Sequence, residues 1–442
     1  MATKAYVSVN QPSGTVSDGI DGTLPLAMFA NARFSSTPTY NQVSEGITFN
    51  QSSGVFEVAE AGDYFITVNV CLDALGLLGY PTGQAIYIRF EVNGALQAPD
   101  VEIGLPFFSG GDVATISRVL SLDAEDEVKI EIENEKNPTT FQHKVRLQAG
   151  TSIVMYKING DFANAYYTAN TNTVTTTGNL TAFSGSTGVL GGSITSLSSS
   201  VNFNHLNGRF TPDNDRIFLY YSSWVYDLAA ASAAHEYNHK LTRDGSGTGL
   251  QEVSIPLDSS SMPGDSTYMI LKQVDNDQYA AIKRDDTSDI GVGFTYVSGT
   301  SFSLIDISDN GTLPSSFFSG HIDSDSSVLG TGLINMYSET DRGSYTLQTP
   351  LTDSLGTNTG ITLNETNGRF TFPETGDYLL INKIQVDSAA SGIKTSHSIR
   401  LNGTNEIYFS EFLNNDSFDP HGKIATVIAS VNKNDYVEFM CS

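Results

Sequence analysis

Apolar and polar residues alternate along much of this chain. In Tyr64-Phe-Ile-Thr-Val-Asn-Val-Cys-Leu72, the side chains of Tyr64, Ile66, Val68 and Val70 fall on one side, and Thr67 and Asn69 on the other. Period two over this length predicts a strand with one buried face. Ile86-Tyr-Ile-Arg-Phe-Glu-Val92 ends at Asn93-Gly94. Asn-Gly between apolar runs predicts a hairpin, because both turn residues take positive φ. Ala114-Thr-Ile-Ser-Arg-Val-Leu-Ser-Leu122 alternates again, an acidic turn Asp123-Ala-Glu-Asp-Glu127 follows, and Val128-Lys-Ile-Glu-Ile132 comes next. Gly150-Thr-Ser-Ile-Val-Met-Tyr-Lys-Ile158 closes the stretch.

This order recurs. Gly46-Ile-Thr-Phe-Asn-Gln-Ser-Ser-Gly54-Val-Phe-Glu-Val-Ala-Glu-Ala-Gly62-Asp-Tyr64 returns as Gly360-Ile-Thr-Leu-Asn-Glu-Thr-Asn-Gly368-Arg-Phe-Thr-Phe-Pro-Glu-Thr-Gly376-Asp-Tyr378. A worn copy runs from Val201 through Gly208-Arg-Phe210 to Arg216-Ile-Phe218, with Asp215-Arg216 read in place of Gly-Asp and one residue deleted. The anchoring glycines are Gly54, Gly208 and Gly368, and their offsets are 208 − 54 = 154 and 368 − 208 = 160. That is domain length, so the expectation is three copies of one fold, each with its own core. The boundaries are 1–158, 159–310 and 311–442.

In the second repeat, Phe162-Ala-Asn-Ala165 reads as a copy of Phe29-Ala-Asn-Ala32, and a Ser/Thr/Gly-rich insertion (about Thr168 to Ser200) follows. Phe218 to Tyr226, the turn Asp244-Gly245, Tyr268 to Val274, the acidic turn Asp275-Asn-Asp277 and the closing Gly299-Thr-Ser-Phe-Ser-Leu-Ile-Asp-Ile307 complete it. In the third repeat, Gly311-Thr-Leu-Pro314 reads as a copy of Gly22-Thr-Leu-Pro25. The anchoring glycine is then further on: the offset is 368 − 311 = 57, against 54 − 22 = 32 in the first repeat. The difference implies an insertion of about 25 residues, long enough to hold an element of its own. Tyr436-Val-Glu-Phe439 is the penultimate strand, and no Gly-Thr-Ser strand follows it in the sequence. Residues 330–338, Gly330-Thr-Gly-Leu-Ile-Asn-Met-Tyr-Ser338, are therefore expected to fill the closing position, making the third repeat a permuted copy. Donation of Ala5-Tyr-Val-Ser-Val9 by a neighbouring chain is the competing arrangement.

Composition agrees with strands. Hydrophobic residues are 39% and charged residues 16%, and 44 of the 45 aromatics are Phe or Tyr, which suit half-buried pleated surfaces. The formal charge of −26 argues against nucleic-acid binding and favours solubility. The two cysteines, Cys71 and Cys441, imply neither a disulfide framework nor a zinc knuckle. Met-Ala-Thr-Lys-Ala-Tyr carries no leader pattern, and no apolar run approaches the ~18 residues of a membrane span, so a soluble product assembled inside a cell is expected, with no membrane insertion.

Candidate chemistry is sparse. His235-Glu-Tyr-Asn-His239 matches HExxH, which needs a helix to bring both histidines to one zinc ion. The repeat instead aligns His239 with His397 at the start of a hairpin strand, where positions i and i+4 lie ~13 Å apart. The acidic turns Asp123 to Glu127 and Asp275 to Asp277 are the places where calcium would find oxygen ligands. No nucleophile elbow, Walker or Rossmann pattern is present in a fitting context. No catalytic, cofactor-binding or metal residue is assigned.

The order of elements, with Gly54-Val-Phe56 and Ala61-Gly-Asp-Tyr64, Gly368-Arg-Phe370 and Thr375-Gly-Asp-Tyr378, resembles the C1q/TNF-like jelly roll. The resemblance covers most of repeats one and three and is weaker in repeat two. It implies an all-β chain of three tandem antiparallel jelly-roll β-sandwiches and a homotrimer around an axis lined by aromatic and aliphatic side chains. It also implies a binding or structural role rather than an enzyme. By analogy, such chains resemble phage virion components. The expectation is a capsid-decorating or appendage protein of the virion, assembled in the host cytoplasm, with other virion proteins such as the major capsid protein as partners. The alternative is an adhesin or receptor-binding module gripping a host surface carbohydrate or protein.

Overall fold

The computed structural model describes residues 5–10, 26–30, 40–75, 85–104, 112–134, 144–147, 150–160, 162–166, 172–174, 180–181, 194–197, 201–204, 209–213, 216–228, 235–243, 252–257, 264–274, 280–285, 294–296, 301–306, 320–321, 334–337, 352–353, 360–386, 393–414 and 421–442. Every regular element among them is a β-strand, and every strand pairing is antiparallel.

The first repeat contains β1 (Tyr6–Asn10), β2 (Leu26–Ala27), β3 (Tyr40–Val43), β4 (Ile47–Asn50), β5 (Val55–Val58), β6 (Gly62–Leu75), β7 (Ala85–Val92), β8 (Ala95–Gly104), β9 (Asp112–Leu122), β10 (Glu127–Asn134), β11 (Lys144–Leu147) and β12 (Ser152–Lys157). One sheet runs β3-β1-β12-β6-β9, with β11 continuing along β6 beyond β12. The other runs β4-β5-β10-β7-β8, and β2 lies beside β10 beyond β5. This is jelly-roll order. Ile66, Val68 and Val70 of β6 meet Phe56, Ile88, Phe90, Ile130 and Ile132 of the facing sheet in one buried core. Asn93 (φ 52°) and Gly94 (φ 79°) turn the β7–β8 hairpin as their sequence predicts, and Asn402 (φ 54°) and Gly403 (φ 77°) do the same in the third repeat.

The second repeat contains β13 (Phe162–Tyr166), β14 (Asn172–Val174), β15 (Leu180–Thr181), β16 (Ile194–Leu197), β17 (Val201–Asn204), β18 (Arg209–Pro212), β19 (Arg216–Leu228), β20 (His235–Arg243), β21 (Glu252–Leu257), β22 (Gly264–Val274), β23 (Ala280–Asp285), β24 (Phe294–Tyr296) and β25 (Ser301–Asp306). Its sheets, β16-β13-β25-β19-β22 and β17-β18-β23-β20-β21 with β15 beside β23, repeat the first pair. Three sequence alignments are corrected here. Phe162 opens the strand beside the closing strand β25, the position of Tyr6 beside β12, so it does not copy Phe29. The stretch after it is not an insertion, because the offset from Tyr6 to Gly54 is 54 − 6 = 48 and that from Phe162 to Gly208 is 208 − 162 = 46. No residue is deleted before Phe218: Gly62 pairs with Leu122 and Arg216 with Val274, and each opens its ladder at the same offset from its anchoring glycine, 62 − 54 = 8 and 216 − 208 = 8.

The third repeat contains β26 (Gly320–His321), β27 (Ile334–Asn335), β28 (Thr352–Asp353), β29 (Thr362–Asn364), β30 (Arg369–Thr371), β31 (Gly376–Val386), β32 (Ile393–Leu401), β33 (Asn405–Asn414), β34 (His421–Val431) and β35 (Tyr436–Cys441). The sheet β29-β30-β35-β32-β33, with β27 beside β35, matches its counterparts. The permutation expectation fails at β27. Ile334 and Asn335 pair with Cys441 and Met440, and Met336 N–H donates to Phe439 O at 2.9 Å. Leu26, Ala27 and Met28 pair in the same way with Ile132, Glu131 and Ile130. Residues 334–337 are thus the counterpart of Leu26-Ala-Met-Phe29, on the sheet opposite the closing strand. The offset from there to the anchoring glycine is 368 − 334 = 34, against 54 − 26 = 28, so the third repeat is longer here by only six. Ala5–Val9, the competing candidate for donation, instead lies in its own repeat, where β1 pairs with β12 and β3.

Candidate assembly interface

The alternation in β6 predicts one buried face, yet both faces are buried. Phe65, Thr67, Asn69 and Cys71 point away from the first core and are at most 2% exposed. The other repeats cover them. Phe65, Val119, Ile158, Phe162, Leu219, Tyr221, Ile305 and Ile424 form one apolar cluster, with Tyr156, Leu379 and Ile381 packed against it. All three repeats contribute to it.

The register explains why. Gly62, Arg216 and Gly376 open equivalent ladders, pairing with Leu122, Val274 and Val431. Phe65, Leu219 and Leu379 are each the third residue after that start, and Thr67, Tyr221 and Ile381 the fifth. Residues at one position of three repeats share one cluster only if the repeats surround a common, approximately threefold axis. Phe65 meets Tyr221 edge-on with ring centroids 5.5 Å apart, and Thr67 Oγ1 donates to Tyr221 Oη at 3.3 Å. Burial of polar Thr67 is tolerated because its hydroxyl is paired.

The seam between repeats one and three is equally close. Ile428 N–H donates to Ser8 Oγ at 3.3 Å. Burial and then a hydrogen bond with Asp377 hold the Tyr6 hydroxyl above its ordinary range. Gly150 has φ +92°, and a Cβ there would lie 2.6 Å from Ser410 Cβ and 2.7 Å from Phe409 O. The glycine of the first Gly-Thr-Ser is therefore required both by its backbone conformation and by the approach of β33. Aromatic and aliphatic side chains thus line an axis between repeats of one chain, the kind of lining expected between three chains.

The candidate chemical residues fall elsewhere. His235 and His239 lie on strand β20, paired with Leu257 and Val253, rather than on the helix that HExxH chemistry requires. The acidic turn of the first repeat is a clasp. Asp126 Oδ2 accepts from Asp123 N–H at 2.7 Å, and its Oδ1 accepts from Asn93 Nδ2 at 2.6 Å. Asn93 Oδ1 in turn accepts from Glu127 N–H at 2.9 Å. The third repeat rebuilds it: Asp435 accepts from Asn432 N–H at 2.7 Å and Asn402 Nδ2 at 2.9 Å, and Asn402 accepts from Tyr436 N–H at 3.1 Å. Those donors, the Asn432 amide first, hold the Asp435 carboxyl below its usual range. The turn aspartate offered as a calcium ligand therefore locks the hairpin turn to the next strand. The turn at 275–277 lies outside the described residues. No group of three or more His, Cys, Asp or Glu able to hold a metal ion occurs among the described residues.

Sequence reasoning missed a buried polar chain in the third core. Tyr337 Oη donates to Asn382 Oδ1 at 2.9 Å, and Asn382 Nδ2 lies 2.9 Å from His397 Nε2. His397 is fully buried, its Nδ1 has no hydrogen-bond partner among the described residues, and burial pushes its pKa down to about 3. It packs edge-on against Tyr408 with ring centroids 5.8 Å apart. The comparison with repeat one would have flagged it, since His397 pairs with Cys441 where Ile88 pairs with Ile132.

No protein-family model and no curated relative matches the chain. Among solved structures it is similar to Eiger TNF from S. frugiperda (12% identity, TM-score 0.23, covering 35% of this chain and 93% of that one). Murine APRIL is similar at 14% identity and TM-score 0.23, covering 35% and 99%. PNGF-II is similar at 9% identity and TM-score 0.25, covering 68% and 65%. Scores of this size carry no functional argument. The strand order stands on its own pairings, and it makes the described residues all-β, arranged as antiparallel jelly-roll sheets.

Proposed function

We propose that this chain is a non-enzymatic structural protein of a phage particle, decorating the capsid or building an appendage, and that one chain supplies the whole trimeric unit. In this reading the three repeats are three jelly-roll domains standing where three subunits would stand. The observation that carries it is the cluster around Phe65, Leu219, Tyr221 and Ile424, in which the repeats bury their first sheets against one another. Assembly of this kind offers a symmetric lattice a platform of matching symmetry. Asn-Gly turns clasped by Asp126 and Asp435 support a mechanical rather than a catalytic design. The test is imaging of purified particles with a gold-labelled antibody against this chain. Label at regular positions on the particle supports the proposal, and particles without label overturn it.

A further inference from the structure

His397 joins the third core to the seam with repeat one. Its register partner on β33 is Ser410, and directly opposite residues of an antiparallel pair share a face. Ser410 is also the residue that meets Gly150 across the seam. Tyr408, two residues back on the same strand, packs edge-on against the His397 ring. Tyr408 reaches repeat one as well: burial first, and then the Cys71 thiol of β6, raise its hydroxyl above the ordinary range. Cys71 is fully buried and packs against Ile384 of β31. Two short side-chain routes thus lead from one imidazole to repeat one.

The imidazole is held neutral. Asn382 Oδ1 accepts from Tyr337 Oη, so Nδ2 faces His397, and an amide nitrogen only donates. Nε2 is therefore an acceptor, and the ring proton sits on Nδ1, which has no partner among the described residues. A second proton, on Nε2, would point at the Asn382 amide nitrogen and leave a charge in the core. Nothing facing the ring offsets that charge. The titratable neighbours are Tyr408 from β33, Cys441 from β35 and, behind Asn382, Tyr337 from β27. Burial holds the Cys441 thiol and the Tyr408 hydroxyl above their ordinary ranges, so both stay neutral. β34 and β30 bring Ala425, Val427 and Phe370 to this core. The buried charged side chains among the described residues, Arg118 and Glu131, are both in repeat one.

We propose that His397 is an acid-sensitive latch: on acidification its imidazole takes a proton from solvent, leaves the third core, and draws β33 away from Gly150 and Cys71, so that repeat three parts from repeat one. His397 is the one buried histidine among the described residues, so acid loosens this seam before the first core. Ordinary carboxylates remain largely ionised at pH 5, which separates the latch from general acid unfolding.

The test follows hydrogen exchange of the full chain at pH 7 and pH 5, as protection factors. The opening equilibrium of a histidine that moves from about 3 in the closed chain to about 6.5 in the open one rises about 25-fold over this window. The expected result in wild type is a loss of protection of about 25-fold in β33 and of less than about threefold in β10 and β23. In the same samples a dipyridyl disulfide, which reacts with thiols in acid, is expected to label Cys71 faster at pH 5. Each rate is divided by that of the urea-unfolded chain at the same pH, and peptide mass spectrometry reads the label. His397→Gln is expected to remove both changes. His397→Ile, which installs the residue that repeat one carries at this position, is the second variant, and whichever folds decides. Unchanged protection of wild-type β33 overturns the latch. A uniform loss in all three strands, or Cys71 that stays unlabelled at pH 5, overturns the seam as the place that opens. A loss that persists in the variant overturns His397 as the trigger.

Discussion

Thr67 and Tyr221 hold the same position in two repeats, five residues past Gly62 and Arg216, and their side-chain oxygens meet at 3.3 Å. Equivalent positions of rotated copies touch only near the axis that relates them. The contact therefore places β6 and β19 side by side around one line, and Ile381 of β31 packs into the same cluster. From it follows the view of this chain as an intramolecular trimer.

Phe65 is central to that contact and only 1% exposed. Phe65→Ala is expected to cost about 3–5 kcal/mol, the range for truncating a buried phenylalanine. The loss should spread across repeats. Hydrogen exchange should accelerate in β19 as well as in β6. Faster exchange confined to β6 and its sheet neighbours would argue against a shared core.

Gly150→Ala tests the seam between repeats one and three. The added methyl meets Ser410 and Phe409 O, and alanine is strained at φ +92°. The expected outcome is a loss of about 2–4 kcal/mol by denaturant unfolding, together with faster proteolysis at β33. A neutral substitution would show that β33 does not press on Gly150 in solution.

Asp435 should matter through its clasp. Asp435→Ala leaves Asn432 N–H and Asn402 without an acceptor and is expected to cost about 1 kcal/mol. The sign of the pH effect is fixed by the depressed folded-state pKa. The contribution is present above the ordinary carboxylate pKa and is lost as pH falls through the folded value. Wild type and Asp435→Ala should therefore converge in stability in strong acid, as read by urea midpoints from pH 7 to 2.

His397 gives a second acid dependence. It is neutral in the folded chain, with pKa about 3, among Asn382, Tyr337, Tyr408 and the cross-strand Cys441. The unfolded chain takes up the proton near pH 6.5. Stability is therefore full above that value and declines as pH falls toward 3. His397→Gln keeps a hydrogen-bonding group beside Asn382 and removes the titration. Its stability should change less than that of wild type between pH 6.5 and 4, and equal slopes would contradict the burial of a neutral histidine.

Much of each repeat was legible because local chemistry is decisive there. Asn93-Gly94 needs positive φ, and Gly54, Phe56 and Tyr64 sit where the repeated pattern places them. The assembly face was not legible. Thr67 and Asn69 read as a solvent face because they are polar, and only packing of other repeats buries them. The alignment errors share a cause. Identical tetrapeptides such as Gly-Thr-Leu-Pro drew the alignment, whereas what the repeats hold in common is a hydrogen-bond position. Leu26-Ala-Met-Phe29 and Ile334-Asn-Met-Tyr337 share little identity, yet Met28 and Met336 donate to equivalent carbonyls. The strand position of His239 was legible from the repeat, because its alignment with His397 put it on a hairpin strand, and β20 carries it.

Small-angle X-ray scattering with in-line light scattering decides whether one chain forms a compact threefold unit. The expected result is the mass of a single chain and a radius of gyration of about 22 Å, the value for one compact body of this length. Three domains strung in a row would give a radius above about 30 Å by the same scaling. A row-like radius, or a mass three times that of the chain at micromolar concentration, would contradict the threefold unit.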